Sequence, residues 1–324
     1  IGLNVVVGFA GLLDLGYVAF FAVGAYSVGL LSSSVSPVAP NVHASFWLLA
    51  VLAMALAAFA GVLLGIPVLP LRGDYLAIVT LGFGEIIQII VLNATGLTNG
   101  TQGLYLIDKP RLFGFTFEDA GDMYLLTVVL AFLGAFATLR LLHSRVGRAW
   151  EAIREDEDVA EAMGINTTAY KLLAFAIGAA LGGLGGAVFA GQIGAFTPDE
   201  FNLFVSINVL ALVIIGGMGS IPGVVMGSVV LLGLPDVLRL PPTTILVFHL
   251  PSAWQSAVAR VSDYRLIAYG ALLVIVVILR PAGFVPSRRR QLEFAQAAAP
   301  DAPTIGPAPE LLEMAELTTQ GGGA

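Results

Sequence analysis

Apolar residues in this chain come in unbroken runs close to the roughly 20 residues that an α-helix needs to cross the hydrocarbon core of a bilayer. After an opening stretch, 1–10, seven such runs cover about 15–31, 46–66, 75–93, 123–142, 172–191, 203–238 and 265–280. Backbone N–H and C=O groups in lipid have no water to bond to, so runs of this kind have to become helices. The sixth run is long enough for two spans. It divides at Gly216-Gly217-Met218-Gly219-Ser220-Ile221-Pro222, where three glycines and a proline oppose continuation of a helix. The expected architecture is an all-α polytopic transmembrane helical bundle of about eight to nine spans or partial spans, counting 1–10 as the tail of a helix that begins before the sequence does.

Composition narrows the functions such a bundle can have. Only 11% of residues are charged, against about 25% in a typical soluble domain, and the mean hydropathy is +0.91. A soluble catalytic domain is therefore not expected. There is no cysteine, and His43, His143 and His249 are too scattered to share a ligand set, so neither a disulfide nor a metal site is expected. The net charge of −7 and the lack of a basic stripe argue against nucleic acid as a partner. No cofactor is expected.

Lysine and arginine set the orientation, because cytoplasmic loops retain them. With spans alternating back from the C-terminus, Arg72, Arg140, Arg145, Arg148, Arg154, Lys171, Arg280 and Arg288 to Arg290 fall on one side, ten in all. Lys109, Arg111, Arg239, Arg260 and Arg265 make five on the other. The first side is assigned as cytoplasmic. The loop 143–171 and the C-terminus then face inward, and the loops 94–121 and 239–263 face outward. Residues 1–286 are expected to form the membrane domain. From 287 to 324 the chain is rich in Ala, Pro and Gly without apolar periodicity, as expected of a disordered cytoplasmic tail.

The inward loop is the only long charged stretch ahead of that tail. Val146, Trp150, Ile153, Ala160 and Met163 fall on one helical stripe, and Arg148, Glu151, Arg154, Glu155 and Asp158 lie opposite. Gly164 is placed to stop the helix. A helix that rests on the membrane surface usually carries a basic polar face, whereas here six acids from Glu151 to Glu161 outnumber Arg145, Arg148 and Arg154. An anionic inner leaflet would repel that face, so a protein partner is the better expectation. An apolar ridge centred on Trp150 is the part expected to fill a partner's groove.

Gly147-Arg148-Ala149-Trp150-Glu151-Ala152-Ile153-Arg154-Glu155-Asp156, followed by Glu161-Ala162-Met163-Gly164-Ile165, resembles the coupling segment of bacterial ABC importer permeases. Within them it is similar to the branched-chain amino acid permeases of the LivM type. Gly2-Leu3-Asn4-Val5-Val6-Val7-Gly8, the stretch from Leu71 to Ile86, Gly216-Gly217-Met218-Gly219-Ser220 and Arg280-Pro281-Ala282-Gly283 agree with it, so the resemblance covers about 2–286. It implies a multi-pass protein of the bacterial plasma membrane, in contact with lipid and paired with a second, homologous permease. The complex would include two ABC ATPase subunits, and the loop helix would dock in a groove on one of them, with Gly147 to Asp156, Glu161 and Gly164 as the coupling residues. A periplasmic or extracellular substrate-binding protein would deliver leucine, isoleucine or valine from outside. The chain itself is not expected to be an enzyme: a phosphate-binding loop needs a lysine between glycine and Ser or Thr, and Lys109 and Lys171 do not stand in that setting.

Polar residues inside apolar spans mark either a watery path or a contact between helices. Asp14, Thr80, Glu85, Gln88 and Asn208 are of this kind. Glu85 lies eleven residues past Asp74, about 16 Å along a helix and so near the midplane. Glu85 and Gln88 share a face, which either lines the translocation path or a dimer seam or makes a hydrogen-bonded contact between helices. Gly82 and Gly84, and Gly216 and Gly217, could interrupt helices and offer backbone groups to a zwitterionic cargo. The candidate path is thus Thr80, Gly84, Glu85, Gln88, Asn208, Gly216 and Gly217. Two other functions remain open on the sequence. One is the same kind of permease carrying urea or short amides; the other is an ion-coupled secondary transporter, for which Asp14 and Glu85 are the available carboxylates.

Overall fold

The computed structural model describes residues 1–37, 44–71, 73–112, 115–237 and the separate positions Gly270, Val274, Ile278, Phe284 and Val285; at 112, 115 and 234–237 it describes the backbone alone. The expected outward loop 239–263 and the tail 287–324 lie outside the described residues, as does the span 265–280 except at three positions.

The chain is mostly helical. It opens with a short π-helix, Asn4–Phe9. An irregular segment leads to α1 (Tyr17–Ser32), followed by α2 (Phe46–Val68) and α3 (Asp74–Asn93). A single turn, α4 (Thr95–Thr98), enters the loop that leads to α5 (Ala120–Leu142). Two short helices, α6 (Arg145–Glu155) and α7 (Glu157–Ala162), precede α8 (Thr167–Ile193). α9 (Leu203–Gly216) and α10 (Ile221–Val237) complete the described bundle. Among the described residues, five helical stretches are long and apolar enough to cross a membrane, and α1 and α10 are shorter apolar helices.

The expected spans from 15 to 238 agree with these helices, and the long run 203–238 breaks where glycine and proline predicted, at Gly217–Ser220. Two departures are found. α3 runs unbroken through Gly82 and Gly84, so those glycines do not interrupt a helix. The bundle also carries two small antiparallel pairs that an all-α expectation omitted. β1 (Leu104–Tyr105) pairs with β4 (Ala195–Phe196), and β2 (Arg111–Leu112) with β3 (Phe115–Thr116).

α8 is the most buried of the long helices and packs against α1 and α2. Small residues make the approach possible, since in lipid helices associate through close backbone contact. The backbone of Gly183 lies where a Cβ on Gly24 would be, 2.6 Å from the Gly183 Cα. One end of the core is aromatic: Tyr26 meets Phe196 edge-on at 5.0 Å, and Phe196 meets Phe201 at 5.5 Å. These rings sit beside the β1–β4 pair, where Ile107 N–H donates to Gly194 C=O at 3.1 Å. Around Trp150, Phe175, Leu64, Val68 and Leu76 lies the core of the other end. Phe284 and Val285 return to that end, their N–H groups donating to the Ile215 and Gly216 carbonyls at 2.8 and 3.2 Å. Of the described cations, Arg145, Arg148, Arg154 and Lys171 cluster with α6 and α7 or beside them, while Lys109 and Arg111 lie in the loop at the aromatic end.

Candidate functional site

The loop 143–171 folds as two capped helices, where the sequence suggested one. The Ser144 hydroxyl accepts from Val146 N–H at 3.1 Å and starts α6. Asp156 then leaves helical geometry, with φ −155°, and its Oδ1 accepts from Asp158 and Val159 N–H, each at 3.0 Å. Asp156 is thus the N-cap of α7, a role in which a short carboxylate satisfies orphan donors of the first turn. Gly164 ends α7 as expected, with Ile165 N–H returning to Ala160 C=O at 3.1 Å. The Asn166 side chain opens α8 by accepting from Ala169 N–H at 3.0 Å.

The direction of the apolar stripe differs from expectation. Trp150 is fully buried in the chain's own core, and Gly147, Ala149 and Ile153 on the same face are buried with it. Its indole Nε1 donates to Tyr170 C=O at 2.8 Å, which pins α6 to the start of α8. The ridge centred on Trp150 therefore cannot fill a partner's groove; burial of a large aromatic is worth more here than at an exposed surface. Exposed along α6, α7 and their caps are Arg145, Arg148, Glu151, Glu155, Asp156, Asp158 and Glu161, together with Val159, Ala162 and Met163, the last 80% exposed. Ala152 is half-buried, as is Arg154, whose guanidinium turns back toward the membrane part of the chain and donates to Gly8 C=O. α7 is held by an ion pair that the sequence reading missed: Lys171 Nζ, nearly buried on α8, meets Glu157 Oε2 at 2.5 Å. A lysine in the first turn of an apolar span was the available signal.

A cleft of about 350 Å³ opens beside this pair, between the segment Gly11–Leu13, the start of α3 at Gly73 and Asp74, and Arg154 and Lys171. Its lining is charged, in contrast to the apolar grooves along the helices.

The candidate path residues divide into two groups. Thr80 is buried and holds the irregular segment before α1: its Oγ1 accepts from Leu15 N–H at 3.0 Å and donates to Ala77 C=O at 3.0 Å. Asp14, also buried, accepts from Gly16 N–H at 2.8 Å and so shapes the turn into α1. Ser206 on α9, which the sequence reading did not single out, accepts from Val18 N–H at 3.0 Å. Gly84 faces Gly16, and Gly216 faces Gly223 and Gly227 of α10. These groups join helices. Glu85 and Gln88 are half-buried on α3, and Asn208 is exposed on the adjoining α9. Gln88 Nε2 reaches Pro198 C=O at 3.4 Å, in the turn before α9. The half that could face a passage is therefore Glu85, Gln88 and Asn208.

Replacing Thr80 with valine keeps the shape and removes the acceptor for Leu15 N–H. The expected cost is about 1–3 kcal/mol for a buried donor left unpaired, read as a lower unfolding midpoint of the purified protein; an unchanged midpoint would mean that Thr80 does not hold the segment.

A bundle of helices of membrane-spanning length and apolarity, with a charged helix pair anchored at one end, has the architecture of a multi-pass membrane protein. Residues 1–277 match the family model described as branched-chain amino acid transport system / permease component. The chain is 39% identical, over 322 residues, to the high-affinity branched-chain amino acid transport system permease protein LivM of Escherichia coli (strain K12), covering 92% of this chain and 69% of that protein. It is 27% identical over 252 residues to the probable branched-chain amino acid transport permease protein LivM of Methanocaldococcus jannaschii, covering 74% and 68%. Similarity extends to the permease protein LivH of Escherichia coli (strain K12), at 27% over 208 residues, with 61% and 60% covered. No solved structure matches the chain. The chain belongs to the family of branched-chain amino acid transport permease components.

Proposed function

We propose that this chain is the membrane permease subunit of an ATP-driven importer that carries branched-chain amino acids, and that α6 and α7 receive the force. The observation that carries this is the anchored helix pair: its apolar face is sealed into the bundle by Trp150 and Ile153, while its charged face is left outside. A surface so presented, on a chain without a phosphate-binding loop, suits a separate ATPase subunit. Val159 and Met163 supply the apolar contact in place of Trp150, and methionine adapts readily to a partner's groove. Arg148, Glu151, Glu155, Asp156 and Glu161 supply the polar register around it.

In this scheme the α6–α7 end is cytoplasmic, along with the C-terminus, and two ATPase subunits serve two permeases. Similarity to both LivM and LivH supports pairing with a second, related permease. The cargo passes along the face of α3 and α9 that carries Glu85, Gln88 and Asn208, after delivery by a substrate-binding protein to the end that holds β1–β4.

The test is leucine uptake into proteoliposomes holding the full complex, with ATP at the ATPase side and the binding protein at the other. Uptake that requires ATP and is displaced by isoleucine and valine is the expected result. ATP-dependent activity with urea or a short amide as cargo, and none with leucine, would replace the cargo. Uptake that persists without ATPase subunits and follows an ion gradient would replace the mechanism.

A further inference from the structure

Three stretches near the α6 end leave regular α-helical geometry: the opening π-helix around Gly8, the irregular segment from Gly11 to Gly16, and the connection Gly217–Ser220 between α9 and α10. Non-helical backbone at membrane depth persists only where protein encloses it or water reaches it. One side chain meets all three. Arg154, in the last turn of α6, donates from Nη1 to the Gly8 carbonyl. Its stem lies against Gly11, where an added Cβ would be 2.9 Å from the Arg154 Cγ. Its Nη1 would be 3.2 Å from a Cβ on Gly219. Gly11 and Gly219 adopt φ of 73° and 79°, a region in which glycine is favoured, so these approaches depend on the absence of side chains.

Asn4 closes the cluster from the other side. Its Oδ1 accepts from Gly219 N–H at 2.9 Å, tying the α9–α10 connection to the opening helix. A Cβ on Gly8 would lie 2.5 Å from the Gly219 nitrogen, so the two segments are in backbone contact. Arginine suits the junction because its planar fork presents several fixed donors, and the carbonyls at a helix end carry partial negative charge.

Helices move as units, and displacement is absorbed at the irregular segments between them. α1 begins at Tyr17, directly after the irregular segment, and α10 at Ile221, directly after the glycine connection. A chain of packed and hydrogen-bonded side chains is one route by which distant sites are coupled. We propose that Arg154 is a positioning residue for transport, joining α6 to both irregular segments so that a displacement of α6 moves the α1 and α9–α10 entrances together. This rests on α6 and α7 being the ATPase-facing element.

A residue that only braced the fold would lower the amount of assembled complex and leave the stoichiometry of the survivors unchanged. The measurement is therefore leucine moved per ATP hydrolysed in proteoliposomes of the full complex, for the unaltered protein, Arg154→Met, Arg154→Lys and Asn4→Ala. Arg154→Met keeps the stem and loses the donors; its ratio is expected to fall about tenfold, within the usual range of a coupling between sites. Arg154→Lys keeps one donor and the charge and recovers part of the ratio. Asn4→Ala releases Gly219 and lowers the ratio without touching α6, so it decides the matter should Arg154→Met not assemble. An unaltered ratio in Arg154→Met, or in Asn4→Ala where Arg154→Met gives no complex, overturns the proposal. Failure of the unaltered complex to link uptake to ATP would instead overturn the importer function itself.

Discussion

Replacing Trp150 with alanine is expected to destabilise the permease on its own, before any ATPase subunit is added. Truncating a fully buried tryptophan or phenylalanine costs about 3–5 kcal/mol, and Trp150 is fully buried between α6 and the core that contains Phe175, Leu64 and Val68. The change also leaves the Tyr170 carbonyl without the indole donor it meets at 2.8 Å. α6 would lose its attachment to α8, and the exposed charges that follow would no longer be presented at a fixed height. Trp150→Phe retains most of the buried area and loses the hydrogen bond, so its effect is expected to be smaller, on the order of 1 kcal/mol for the bond plus some loss of packing. Thermal unfolding of the isolated, purified permease checks this directly. A large drop for alanine, a small one for phenylalanine and a parallel loss of ATPase binding fit an anchor. A stable alanine variant that merely fails to bind the ATPase would return Trp150 to the partner's groove.

That contrast shows what the sequence could convey. The stripe Val146, Trp150, Ile153 is legible as an apolar face because helical periodicity records which residues share a side. It does not record whether that side packs on the chain's own bundle or on another protein, since both remove the same area from water. The transmembrane helices were legible because lipid leaves apolar runs no alternative. The break at Gly217–Ser220 was legible because glycine and proline together oppose helix. Asp156 was hidden for the opposite reason: it sits in a run of helix-compatible acids, and only its extended φ of −155° marks it as a cap. β1 and β4, two residues each, are too short to show alternation. The junction of Arg154 with Gly8 spans 146 positions along the chain, and nothing local to either residue announces it.

Glycine is where local pattern and tertiary structure part most clearly. Gly82 and Gly183 both stand inside apolar spans. Around Gly82 nothing lies within 4 Å of an added Cβ. At Gly183 an added Cβ would lie 2.5 Å from Ala57 Cβ and 2.7 Å from the Ala53 carbonyl oxygen, both on α2. The Gly183 backbone is also the surface against which Gly24 of α1 rests. Three helices thus meet at one missing side chain, and much of what surrounds it is backbone that cannot rotate away. Overpacking a tight interior costs about 1–3 kcal/mol and at times more; here α1 and α2 would both have to withdraw, so Gly183→Leu is expected at or above the top of that range. Gly82→Leu, which places the same side chain in open space, is expected to leave the fold intact. The readout is the fraction of each variant recovered as a single species by size exclusion in mild detergent, together with its unfolding temperature. Equal recovery and equal stability of the two variants would mean that α1, α2 and α8 do not pack through Gly183. A collapse confined to Gly183→Leu would place the structural centre of the permease at that contact, which holds together the bundle on which α6 and α7 are mounted.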